Sequence, residues 1–158
     1  MKDNRWMPHA TVATVIFDGE RYLLTEEINR GASRVDYPTL FNQPAGHLEP
    51  NETLIEAARR ETREECGWEV TLTGYLRLYT RAWKQTVYHS HAFIATPDHP
   101  VDTPLDEGIV AAHWLTWEEI QALDAEGKLR SPLVRMRIED YQAGLCFPLD
   151  VLKELHPA

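Results

Sequence analysis

Residues 46–68, GHLEPNETLIEAARRETREECGW, constrain this chain more than any other stretch. Thr53 followed by Glu56 is a capping box, so a helix should begin near Leu54. Gly67 supplies a left-handed stop. Between them Glu61, Glu64 and Glu65 recur at i, i+3 and i+4. On a helix that spacing places three carboxylates within an arc of roughly 100°. Leu54, Ile55, Ala58 and Thr62 form the stripe expected to be buried beside it. Carboxylates so close repel one another unless a hard cation sits among them, and an oxygen-rich cluster suits Mg²⁺ or Mn²⁺. The segment therefore reads as a metal site built for phosphate chemistry. A merely solvated acidic helix would account for Glu56 and Arg60, a favourable i, i+4 pair. It does not require Gly46, Glu52 and Gly67 at fixed offsets.

The rest of the chain supplies the setting. At 158 residues it fits one domain, 1–158, with a core large enough to fold unaided. The formal net charge of −9 argues against a nucleic-acid polymer or an anionic membrane as partner. It also means that metal and a few local cations must reverse the field wherever a polyphosphate binds. Cys66 and Cys146 suggest neither a disulfide framework nor a zinc pattern, and Cys66 reads as a small buried filler. Lys2 and Arg5 precede a short apolar run that lacks a cleavage site, so it reads as a strand rather than a signal peptide. No apolar stretch reaches membrane-spanning length, and the expected location is cytoplasmic.

Periodicity orders the elements. Residues 10–17 and 21–26 flank Asp18-Gly19, a hairpin signal. Residues 28–38 read as a loop and 40–45 as one short strand. After the helix, Trp68, Val70, Leu72, Leu76 and Leu78 alternate with polar residues, with Gly74 as a candidate bulge. Residues 86–96 and 109–115 follow as strands. Thr116 with Glu119 starts a short helix, and Ser131-Pro132 starts another that Gly144 ends. A last short helix is expected over 150–155. This order predicts an α/β chain with a mixed sheet between helices.

The first-named residues resemble the Nudix box, G-x5-E-x7-R-E-U-x-E-E-x-G-U, with U a bulky apolar residue. Gly46, Glu52, Arg60, Glu61, Glu64, Glu65 and Gly67 occupy its fixed positions. At ordinary residue usage the chance match is on the order of 10⁻⁸ or less per starting position. Thr62 stands where the family usually has an aliphatic residue; its hydroxyl can bond back to the carbonyl one turn earlier. The resemblance implies an α/β/α sandwich and a metal-dependent diphosphate hydrolase. It implies Glu64 and Glu65 as metal ligands, Glu61 as ligand or water-activating base, and the Gly46 carbonyl as a further ligand. Arg60 would orient a box carboxylate, and Glu52 would support it or add a ligand. Asp106 and Glu107 are the candidates for an extra acid from outside the box; many relatives carry glutamate where this chain has Gly108. Solvated loop acids are the alternative.

For substrate contacts, Arg77 should face away from Leu76 and Leu78 and could meet phosphate oxygens, with Arg81 and Lys84 just beyond. Simple exposure is the alternative. His47 lies in the phosphate-facing loop. Trp83 and Tyr79 could stack on a ring or simply pack. His89 and His91 share a strand face but show no third metal ligand, so a surface or pocket role is expected.

Residues 42–49, NQPAGHLE, and 129–134, LRSPLV, with Tyr141-Gln142 and Pro148-Leu149, resemble the NudJ-type phosphatases within that family. That resemblance implies an Mg²⁺-dependent enzyme releasing orthophosphate from nucleoside di- and triphosphates, hydroxymethylpyrimidine pyrophosphate and thiamine pyrophosphate. It places Gln43 and the Arg130-Ser131 segment at the substrate pocket, with a solvated Arg130 as the alternative. Two other readings stand beside it: a nucleoside triphosphate pyrophosphohydrolase releasing pyrophosphate, and a non-catalytic Nudix domain that senses a nucleotide. A small phosphorylated molecule is the expected partner, and a monomer or homodimer the expected state.

Overall fold

Local rules shape the segment around the box helix. Thr53 accepts the Glu56 backbone N–H, and the Glu56 side chain accepts the Thr53 N–H in return. Helix α1 runs Leu54–Cys66 and ends at Gly67, whose φ of 68° is left-handed. The Thr62 hydroxyl donates to the Ala58 carbonyl at 2.8 Å, so this polar residue is buried with its bond made. Glu154, far along the chain, also accepts the N–H groups of Leu54 and Ile55 at the helix start. The computed structural model describes residues 5–31 and 37–156; residues 32–36 of the expected loop lie outside them.

Among the described residues, seven strands form two hydrogen-bonded sheets. Strands β1 (His9–Ile16), β4 (Ala45–His47), β5 (Trp68–Trp83) and β6 (Thr86–Pro100) make a mixed sheet in the order β4-β1-β6-β5. Only β1 and β6 run parallel there. Strands β2 (Tyr22–Ile28), β3 (Thr39–Asn42) and β7 (Ile109–Leu115) make an antiparallel sheet in the order β3-β2-β7. Alternating side chains feed two cores. Val12, Ile16, Leu23, Phe93 and Ala95 pack with Ala57, Ala58 and Cys66 of α1. Val15, Tyr22, Leu24, Ala92 and Ile94 pack with Ile120 of α2 (Trp117–Ala125) and with Val134 and Ile138 of α3 (Pro132–Gln142). Sheet structure thus lies between helices, as the order of elements predicts.

Four local expectations need correction. Asp18 does turn the chain, accepting the N–H groups of Glu20 and Arg21. The flanking strands part into different sheets after one bridge, Phe17 to Tyr22. Both edges of β1 are taken by β4 and β6, and both edges of β2 by β3 and β7, so no hairpin ladder can extend. The strand expected over 40–45 is two, β3 and β4, because Pro44 lacks an N–H and the chain crosses between sheets there. Residues 150–155 do not form a helix; a single 3-10 turn, Leu149–Val151, is followed by extended chain.

The fourth correction concerns β5. Its register with β6 shifts between Leu72 and Gly74 and again between Tyr75 and Arg77. Tyr75 opposes Phe93 and Arg77 opposes Ala92, so Leu76 is an extra residue and the alternation slips by one. Leu76 is fully buried, Leu78 is 44% exposed and Tyr79 is buried in its place. Sequence alternation treats Leu76 and Leu78 as equals; the bulge separates them. Leu76→Ala should cost about 2–5 kcal/mol of unfolding free energy. Leu78→Ala should cost less than about 1 kcal/mol by the same urea titration.

Candidate active site

The acidic face of α1 is organised by its one inward-turned cation. Arg60 lays Nε and Nη2 on the two oxygens of Glu52, at 2.6 and 3.0 Å. Its Nη1 donates to Glu61 at 2.9 Å and to Glu64 at 3.0 Å, and Nη2 also donates to the His47 carbonyl at 3.1 Å. Hydrogen bonding to Glu52 above all holds the guanidinium proton more tightly than usual. Glu52 is correspondingly pulled below the usual carboxylate range by Arg60. Glu52 therefore sits on Arg60 and supports the cluster, and Arg60 orients box carboxylates.

Beyond Arg60, Glu61, Glu64 and Asp106 bring one carboxylate oxygen each within 4.8 Å of one another. Asp106 reaches them because its N–H donates to the Glu64 carbonyl at 2.9 Å, which fastens the loop before β7 to the end of α1. This separates the two outside acids. Glu107 instead points to solvent and meets Arg30 at 3.5 Å. Glu61 lies against Gly46: a Cβ there would stand 2.0 Å from its Oε1. Only glycine lets the backbone of β4 approach that carboxylate. Burial pushes the Glu61 carboxyl up, partly offset by Arg60. Three hard oxygens with one excess-charged neighbourhood fit a divalent cation such as Mg²⁺ or Mn²⁺.

Glu65 faces another way. Its Oε1 accepts the Ala45 N–H at 2.7 Å, and it is 8% exposed. Burial, then the charges of Glu27, Glu61 and Asp106, push its carboxyl up to about 9. It forms part of the wall of a cleft of about 690 Å³ that also includes Gly46, His47, Glu27, Arg81, Arg130 and Arg137. His47 meets the rings of His9 and Tyr88 edge to face, with its Nε2 3.1 Å from His9 Nδ1. Burial lowers its affinity for a proton, with His9 adding to the effect.

The structure places two expected substrate residues elsewhere. Gln43 is 1% exposed and spent inside: its amide nitrogen donates to the Val134 carbonyl, and its oxygen accepts from Arg137. Arg77 lies outside the cleft lining and pairs with Asp140 of α3 at 3.1 Å, because the bulge carries it onto the helix side. Asp140 also accepts the Tyr79 hydroxyl at 2.6 Å. Trp83 does border the cleft, whereas His91 is bonded to Tyr75. Arg130 enters the cleft paired with Glu27 at 3.1 Å.

Sequence reasoning passed over Glu27, Ser90 and Arg137. A signal existed for the last: Val134, Arg137 and Ile138 follow the apolar spacing of α3, so a charge sits on its buried stripe. Burial lowers the Arg137 guanidinium to about 10.

An acid cluster at the end of a helix, beside a cleft with a cationic wall, suits chemistry on phosphorylated molecules. The chain belongs to the Nudix family: the family's NUDIX domain profile matches residues 7–136. It is 37% identical over 151 residues to "Phosphatase NudJ" of Escherichia coli K12, covering 94% of this chain and 93% of that one. The same protein of Shigella flexneri matches equally. A solved Nudix hydrolase from Nitrosomonas europaea superposes with a TM-score of 0.87 at 39% identity, covering 96% of this chain and all of that one. A pyrophosphohydrolase from Bacillus subtilis shares the fold at a TM-score of 0.67 and 20% identity, covering 91% of this chain and 87% of that one. The protein is thus a hydrolase acting on diphosphates in small phosphorylated substrates, of a family that generally uses divalent metal. No helix among the described residues is long and apolar enough to cross a membrane.

Gly46→Ala should test the contact on Glu61 directly. The added methyl must displace that carboxylate, so Mn²⁺ affinity measured by calorimetry should fall about tenfold or more, with the chain still folded by circular dichroism.

Proposed function

We propose that this single-domain chain, residues 1–158, is an Mg²⁺-dependent phosphatase. It releases orthophosphate from nucleoside di- and triphosphates and from thiamine-related pyrophosphates, namely hydroxymethylpyrimidine pyrophosphate and thiamine pyrophosphate. The observation that carries this reading is the likeness to Phosphatase NudJ over nearly the whole of both chains. The carboxylate trio beside the cleft supports it. The protein acts in the cytoplasm, as a monomer or homodimer, without a nucleic-acid polymer or membrane as partner.

Glu61, Glu64 and Asp106 would hold the cation, with the Gly46 carbonyl and Glu65 as further donors and Mn²⁺ as an alternative occupant. When bound, it offsets charge on phosphate oxygens and makes water a better nucleophile. The chain's own residues supply positioning. Arg60 fixes the rotamers of Glu61 and Glu64 from behind, so neither must reorganise as substrate arrives. Glu61 also serves as the candidate base for the attacking water. His47 and the cationic wall orient the phosphate chain and keep it from the negative remainder of the protein.

Two measurements test this reading. Glu64→Gln and Glu65→Gln should each lower turnover by several orders of magnitude. Thermal stability without metal should hold or rise in Glu64→Gln because like-charge repulsion is relieved, and hold in Glu65→Gln because its carboxyl is already neutral near pH 7. Retention of more than about a tenth of wild-type activity in both would sink the assignment. Separately, thiamine pyrophosphate with Mg²⁺ should give thiamine monophosphate and orthophosphate, and nucleoside triphosphates should pass through the diphosphate. Pyrophosphate as first product would mark a pyrophosphohydrolase, and absence of turnover a nucleotide sensor.

A further inference from the structure

Two guanidiniums border the cleft without a carboxylate partner among the described residues. Arg137 is 5% exposed. Its Nη1 donates to Gln43 at 3.1 Å and its Nη2 to the Ser90 hydroxyl at 2.9 Å, while Nε has no partner. The guanidinium carbon lies 5.7 Å from the centre of the Tyr79 ring. Arg81 follows Tyr79 by two residues on β5, so both project from one face, roughly 7 Å apart along the strand. A buried guanidinium held only by neutral groups is costly, and a second cation nearby adds to that cost. Burial, and after it the charge of Arg81, weakens the hold of Arg137 on its proton. The other two guanidiniums of the cleft are already engaged, Arg130 with Glu27 and Arg30 with Glu107, and the Lys84 ammonium lies over the Trp83 ring.

Sheet register locates this pair relative to the carboxylates. Tyr79 opposes Ser90, Ser90 opposes Thr11, and Thr11 opposes His47. Ser90 is therefore two strand spacings, about 10 Å, from the β4 backbone on which Glu61 rests. The cleft joins the two around the β4 edge: its lining runs from Arg81, Ser90 and Arg137 to Glu65 and to Gly46, against which Glu61 lies. A molecule with two anionic groups therefore suits it better than a single phosphate ion.

We propose that Arg81 and Arg137 form an anion subsite that binds a phosphoryl group of the substrate, at the end of the cleft opposite the carboxylate trio. The proposal rests on the diphosphate-hydrolase reading of the cleft, not on which product is released. Gln43 and Ser90 position Arg137, and Asp140 steadies Tyr79 beneath it.

The test uses the full chain in EDTA, without divalent metal, and titrates inorganic pyrophosphate by calorimetry and thermal shift against potassium chloride at matched ionic strength. Wild type should bind pyrophosphate, and Arg81→Gln and Arg137→Met should each weaken binding about tenfold or more. Ligand-free Arg137→Met should melt no lower than wild type, since it loses an uncompensated charge. With metal and a nucleoside diphosphate, Arg81→Gln should raise KM with kcat little changed. An equal shift with chloride, or wild-type binding by Arg81→Gln, overturns the subsite even if Arg137→Met fails to fold. Loss of pyrophosphate binding in the variants upholds it even if orthophosphate proves not to be the product.

Discussion

One guanidinium surrounded by carboxylates makes the rest of the site attainable. Arg60 holds Glu52 with two nitrogens, touches Glu61 and Glu64 with the third, and reaches the His47 carbonyl. Helix α1 would otherwise carry uncompensated acids on the side that packs against β4. With Arg60 in place, the loop of residues 46–52 and the helix become one charged unit. The negative charge it leaves over is concentrated at Glu61, Glu64 and Asp106. Hydrogen bonds from Arg60 thus fix the rotamers of Glu61 and Glu64, an arrangement that suits a divalent cation without reorganisation.

Glycine is the second condition. Gly46 and Glu61 come from successive elements, β4 and α1, and their contact admits no side chain at Gly46. The consequence extends to the fold: β4 can run antiparallel to β1 and still sit close to α1 only because this backbone is bare. The fixed offset from Gly46 to Glu61 thus encodes a distance in space. A solvated acidic helix has no such requirement, which is why the motif is informative.

Legibility followed the range of the interaction. The limits of α1, its capping box, the left-handed Gly67 and the Thr62 back-bond all depend on residues within a few positions, and all were readable. The α/β class and the strand Ile109–Leu115 were readable from periodicity. Partner choice was not. Nothing near Asp18 tells β1 and β2 to join different sheets; the decision is made by β4, β6, β3 and β7. The bulge at Leu76 was equally hidden, and with it the fate of Arg77, which the slipped register hands to Asp140. Choosing Asp106 over Glu107 needed the bond from its N–H to the Glu64 carbonyl. Gln43 was placed at the pocket by the NudJ-type resemblance, which could not say that Val134 and Arg137 would consume its amide.

The same division separates chemistry from recognition. Most of the acids that can engage a cation come from thirteen residues of one helix, so a local motif can carry them between chains intact. The opposite end of the cleft is assembled from β5, β6 and α3, elements joined only by the fold. An acidic chain with a net charge of −9 can admit a polyphosphate only if its cations are placed where its acids are not. Here Glu27 and Glu107 neutralise Arg130 and Arg30. What a substrate meets at that end then depends less on how many basic residues the chain carries than on which of them the fold has left without an acid. That property is set by strand register and helix facing, and small shifts in either can change substrate preference while leaving the box untouched.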